Sequence, residues 1–161
     1  MKKLFLASIA LLSVLLFSAC SSDESVAKRT EGTYIVRRIT SVKGMTFQIV
    51  ETGMELIVKA EADNFVKVVI PTTSYDLEGK NMVIPEFTIF GVPVVDDLEN
   101  GTAIPKHSFL VDGKKSVKGT IEGEFNADGE VEVVVEYQYG DMPLAIEQEF
   151  DYRWKDLDYD N

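Results

Sequence analysis

Near the C-terminus the chain acquires a strict two-residue period. Val117, Gly119, Ile121, Gly123 and Phe125 alternate with Ser116, Lys118, Thr120, Glu122 and Glu124. Val131, Val133, Val135, Tyr137 and Tyr139 then alternate with Glu130, Glu132, Glu136 and Gln138, with Val134 the exception. Leu144, Ile146, Phe150, Tyr152 and Trp154 oppose Glu147, Glu149, Asp151 and Arg153. Successive side chains of a strand point to opposite faces, so these runs predict three strands with one dry and one wet face, the pattern of antiparallel sheet. The links "NADG" and "GDMP" are short, which makes the three strands a meander.

The same punctuation runs back to Gly32. "GTYIVRRIT", "MTFQIVET", "MELIVKAEA", "FVKVVI" and "MVIPEFTIF" alternate or nearly so, and turn pairs such as Lys43-Gly44, Asp63-Asn64, Glu78-Gly79 and Asp112-Gly113 separate them. No stretch offers a three-turn amphipathic helix. About eight strands without covering helices must bury their dry faces against one another, and closure also removes exposed edges. The expected fold class is therefore all-β: a single closed or nearly closed antiparallel up-and-down β-barrel, with a two-sheet sandwich as the alternative. Gly119 and Gly123, two positions on one dry face, fit a strand coiling sharply where a sheet closes on itself.

At the other end of the chain, Lys2 and Lys3 precede an uncharged apolar run, Leu4 to Leu16, and the small pair Ser18-Ala19 precedes Cys20, the only cysteine. That order reads as a secretory signal, too short for a spanning helix. Residues 1–19 are expected to be a signal peptide, residues 20–31 a modified cysteine and flexible tether, residues 32–155 the barrel domain and residues 156–161 an acidic tail. Removing residues 1–19 takes Lys2 and Lys3 and no acid, moving the net charge from minus 11 to minus 13. Such a surface repels phosphate backbones, so nucleic acid is excluded as a partner.

"FSACSSDE" resembles the lipobox of bacterial lipoproteins, in which the cysteine is acylated and becomes the mature N-terminus. "SSDE" is similar to the acidic export signal of Bacteroidetes-type lipoproteins. The resemblance implies a lipid anchor on Cys20 and a place at the outer membrane, facing the cell surface. The segments "DNFVKVVIP", "MVIPEFTIFGVPV", "SVKGTIEGEF" and "VEYQYGDMPLAIEQEF" resemble the calycin-like, or lipocalin-like, barrel domain of such lipoproteins. Gly32-Thr33-Tyr34 stands where lipocalins carry Gly-X-Trp. This resemblance implies a closed barrel with an internal cavity for a small apolar molecule, and no catalytic residue.

The residues themselves give no enzyme. His107 is the only histidine, and Ser108 beside it cannot serve in a triad with its own neighbour on a strand; a solvated loop imidazole is expected. "DLDYDN", residues 156–161, has Asn161 where a Ca²⁺ loop carries its sixth-position glycine and does not supply the glutamate at the twelfth, and the acidic loop of Asp96, Asp97, Glu99 and Asn100 has no better claim. No metal and no cofactor is predicted. The ligand site is placed at Gly119, Gly123, Tyr137 and Phe150, where inward glycines are expected to leave volume beside aromatic faces. The competing reading is an interaction module whose loops, Pro71 to Asn81 and Asp96 to Lys106, contact a protein or glycan.

Overall fold

The computed structural model describes residues 24–77, 79–97 and 101–152. Cys20 with the signal segment, Trp154 and the acidic tail lie outside the described residues. One short helix, α1 (Val26–Thr30), is followed by the strands β1 (Gly32–Val42), β2 (Gln48–Ala62), β3 (Phe65–Ile70), β4 (Thr73–Leu77), β5 (Lys80–Ile84), β6 (Phe87–Pro93), β7 (Val95–Asp97), β8 (Gly101–Val111), β9 (Val117–Asn126), β10 (Val131–Tyr139) and β11 (Ile146–Tyr152).

The alternation read from the sequence is the alternation the chain uses, with two corrections around the last strand: Leu144, expected on the dry face, is exposed, and Asp151, expected on the wet face, is buried against Arg37. Val117, Ile121 and Phe125 of β9, Val131, Val133, Val135 and Tyr137 of β10, and Ile146 and Phe150 of β11 are all buried. The meander pairs in register, with Val133 opposite both Gly123 and Phe150. β11 then pairs antiparallel with β1, Val42 opposite Ile146, which joins the first strand to the last. All ladders are antiparallel, and the nine-stranded sheet runs β6-β3-β2-β1-β11-β10-β9-β8-β7. β6 and β7 are two halves of one bent path around Val94: β6 pairs with β3, β7 with the start of β8. Counted so, eight strands wrap around one core, and the sheet is nearly closed into a barrel. The remaining seam lies between β6 and the rest of β8, which no ladder joins among the described residues.

Charges ring the outside: Glu55, Lys59 and Glu61 on β2, Lys118, Glu122 and Glu124 on β9, Glu132 on β10 are exposed. A bilayer-spanning barrel has the reverse arrangement, an apolar band facing outward. Here the apolar face is inside, and each buried Val, Ile or Phe contributes roughly 1.5–3 kcal/mol.

One end is plugged by α1, which corrects, for residues 25–31 of the stretch 20–31, the expectation of a flexible tether with packing beginning only at Gly32. Ser25 caps the helix by accepting from the Lys28 amide. Ala27 and Thr30, three apart and so on one side of the turn, are fully buried. The Ala27 N–H donates to the Asp63 carbonyl at 3.0 Å, the Thr30 hydroxyl meets that of Thr102 at 2.8 Å, and Arg29 pairs with Asp96. Composition misleads here because one small apolar residue and one threonine suffice when the polar groups around them have partners. A chain beginning at Gly32 should therefore melt several degrees below one beginning at Ser21, a loss of about 2 kcal/mol for the contacts removed. Equal melting temperatures by circular dichroism would show that α1 contributes nothing.

The opposite end is covered by β4 and β5. They form a separate two-stranded hairpin, inserted between β3 and β6, which pair with each other at its base, Ile70 opposite Phe87. Pro71 to Asn81, expected as an open loop, thus belongs largely to a lid whose Thr73 and Tyr75 point inward and are buried. Asp96 to Lys106 is likewise mostly strand, in β7 and β8.

Candidate functional site

The four residues placed at a ligand site do not enclose empty space. Gly119 lies opposite Tyr137 and Gly123 opposite Val133, and Tyr137 and Phe150 are fully buried in the core. A Cβ on Gly119 would stand 2.0 Å from the Glu136 carbonyl oxygen and 2.7 Å from Tyr137 Cα; on Gly123 it would meet the Glu132 oxygen at 2.5 Å. The space that each glycine vacates is occupied by the backbone of β10. The expected free volume beside them is therefore corrected: the glycines permit close strand approach. A groove of about 390 Å³ does run beside Gly119, but it is open and bordered by the outward-facing Lys118, Thr120, Glu136 and Gln138.

The chemistry collects beneath the hairpin. β1 carries Val36, Arg38, Thr40 and Val42 inward, so its two-residue period puts a guanidinium inside the barrel. Arg38 is fully buried. Its Nε and Nη2 donate to Glu51 at 2.8 and 2.6 Å, and Nη1 donates to the carbonyls of Pro71 and Thr72 and to the Thr73 hydroxyl, each at 3.1 Å. Arg38 thus ties the barrel wall to the foot of the hairpin. Gln148, inward on β11 between Ile146 and Phe150, donates its amide to Thr73 at 2.6 Å and to Thr40 at 3.4 Å.

Thr73 is nearly saturated by these bonds: its oxygen accepts from Arg38 and Gln148, and its hydroxyl lies 3.5 Å from the Pro71 carbonyl, with the Tyr137 phenol also close to it. Three neighbours remain unsatisfied. Among the described residues, the buried side-chain atoms without a hydrogen-bond partner are Tyr75 Oη, Tyr137 Oη and Gln148 Oε1. Leaving such a group unmade costs about 1–3 kcal/mol, and a native protein that keeps three together calls for an explanation. Burial raises the Tyr137 phenol far above its ordinary pKa, with Thr73 and Arg38 offsetting part of the effect. Burial raises that of Tyr75 too. Both phenols stay protonated and can donate.

Aromatic rings surround the cluster. Phe47 leans on Tyr75 at 5.9 Å, and Phe87 meets Tyr137 edge-on at 5.2 Å and stacks on Phe109 at 6.3 Å. Phe109 also borders a cleft of about 350 Å³ along the seam between β6 and β8, with Ile89, Phe90, His107, Ser108 and Leu110. His107, expected as a solvated loop imidazole, sits in strand β8, half-buried on this cleft. None of Arg38, Gln148, Tyr75 or the seam stood out in the sequence reading. A signal was present: Arg38 is in phase with Val36 and Val42, and Gln148 with Ile146 and Phe150.

No protein-family model matches the chain, and no curated protein matches it significantly. Among solved structures, a candidate outer membrane protein of Bacteroides fragilis superimposes with a TM-score of 0.69 at 19% sequence identity, over 81% of this chain and 53% of the neighbour. The chain spans about half the neighbour's length, and the likeness is one of fold.

Proposed function

We propose that this protein is a lipid-anchored, calycin-like barrel at the outer membrane that binds a small, largely apolar molecule at its lidded end and catalyses no reaction. The observation that carries the binding reading is the group of three unpartnered polar atoms, on Tyr75, Tyr137 and Gln148, buried among aromatic rings under the hairpin. A barrel of eight strands is just wide enough for one small ligand when side chains do not fill it. The reading as a non-enzyme rests on the same cluster. Arg38 and Glu51 are spent on each other, and the Thr73 hydroxyl beside the phenols is held by Arg38 and Gln148, with no base free to activate it among the described residues of the cluster.

The location rests on two supports. The fold neighbour comes from a candidate outer membrane protein, and the charged exterior disfavours insertion of the barrel itself, leaving the lipobox-like segment around Cys20 as the attachment. Two or more acyl chains there would hold the protein firmly. Cys20→Ser should abolish metabolic fatty-acid labelling and release the chain from the membrane fraction; unchanged labelling would remove the anchor. Native mass spectrometry of the purified protein should then reveal a co-purifying small molecule. Binding to a protein or glycan instead, with no small molecule retained, would favour the interaction-module reading, for which exposed Phe90 and Leu110 are the supporting observation.

A further inference from the structure

We infer that the ligand is an amphiphile with an uncharged hydroxyl head, such as a long-chain alcohol or a monoacylglycerol, and that its apolar body lies along the seam between β6 and β8. This deepens the binding reading above and rests on it. The argument begins with what each orphan atom requires. Gln148 Oε1 can only accept, whereas the unpartnered phenols of Tyr75 and Tyr137 are protonated and can donate. A hydroxyl supplies both complements, donating to Gln148 Oε1 and accepting from a phenol.

A carboxylate fits less well. It would accept from both phenols, yet it would confront the Gln148 carbonyl oxygen with no proton to offer. The cation that would compensate its charge, Arg38, is already paired with Glu51 and fixed to the hairpin foot. A buried charge without its own counter-ion is strongly disfavoured. An ammonium head could donate to Gln148 Oε1 and to the phenol oxygens, but it would bury a charge with no carboxylate to pair it, because Glu51 is taken by Arg38.

The body of the molecule is placed by the aromatic rings that link the cluster to the seam and that must part to admit it. Phe87 contacts Tyr137 on one side and Phe109 on the other, and Phe109 borders the seam cleft. Phe90 and Leu110, which also line the cleft, are each more than 60% exposed, an unusual exposure for two large apolar side chains on one cleft. The seam is also where the barrel wall lacks a ladder, so a chain can lie there without breaking backbone hydrogen bonds.

The test uses full-length protein in nanodiscs with a diazirine-bearing C12 alcohol and the matching C12 carboxylic acid, followed by mapping of labelled peptides. The alcohol should label residues of β6 and β8, be displaced by unlabelled dodecanol, and exceed the acid about tenfold at equal concentration. Tyr137→Phe should reduce alcohol labelling about fivefold to tenfold, the value of one buried hydrogen bond. The same variant, without ligand, should melt at the same temperature as the parent or higher, since an unsatisfied hydroxyl is gone. Equal or preferential labelling by the acid on the same strands would overturn the ligand class while leaving the binding reading standing. Labelling confined to the outer faces of other strands would overturn the seam, and the absence of displaceable labelling by either probe would overturn both.

Discussion

Arg38→Ala is expected to destabilise the protein by about 3 kcal/mol, the low end for removing one partner of a buried ion pair because the Glu51 side chain keeps 32% of its surface exposed, and to loosen the hairpin before the barrel. The side chain is fully buried and serves four acceptors: Glu51, the carbonyls of Pro71 and Thr72, and the Thr73 hydroxyl. Its loss strands the Glu51 carboxylate next to two carbonyl oxygens of the hinge. The barrel ladder survives, because Ile70 pairs with Phe87 beneath the hairpin. Hydrogen exchange should therefore show amides of residues 73–84 losing protection well before those of β10, and urea denaturation should give the total loss. Arg38→Met keeps the volume but none of the donors, and should recover only a small part. If hairpin protection is unchanged in Arg38→Ala, the guanidinium is not what fastens the lid.

The barrel itself was legible because its information is local. In β9, β10 and β11 the two-residue period, the short turns and the charge on the wet face all agree, and each strand buries the face its own sequence marks, Asp151 of β11 being buried in addition through its pairing with Arg37. The closing contact of β11 with β1 is long-range, but it follows from the need to cover edges. What composition and pattern concealed were the departures from polarity rules. Arg38 and Gln148 sit at inward phases, where a count of apolar positions passes over them as interruptions. Their meaning depends on Thr73, which lies 35 and 75 residues away. The helix α1 escaped for a related reason. A five-residue helix is too short for a periodic signal, and it is held by Asp63, Asp96 and Thr102, none of which its own sequence indicates.

The glycines of β9 mark a close approach of β10 and not the empty volume expected beside them. Gly119→Ala should be among the most damaging single-methyl additions in the chain, at about 3 kcal/mol or more, the upper end of overpacking costs. The obstacle is backbone. The new Cβ would stand 2.0 Å from the Glu136 oxygen and 2.7 Å from Tyr137 Cα, and neither can rotate away as a side chain might. Relief requires that β9 and β10 separate, which would break the ladder from Gly119–Tyr137 outward and shift the Tyr137 ring off Phe87. Gly123→Ala should follow closely, its Cβ meeting the Glu132 oxygen at 2.5 Å and Val133 Cγ2 at 2.8 Å. Gly113→Ala, whose Cβ would approach only the Lys115 carbonyl at an ordinary 3.4 Å, should change stability by about 0.5 kcal/mol at most. Chemical denaturation of the three variants should give that order. Equal tolerance at positions 113 and 119 would mean that β9 and β10 do not approach as closely as described, and would reopen the space beside Gly119 to a ligand.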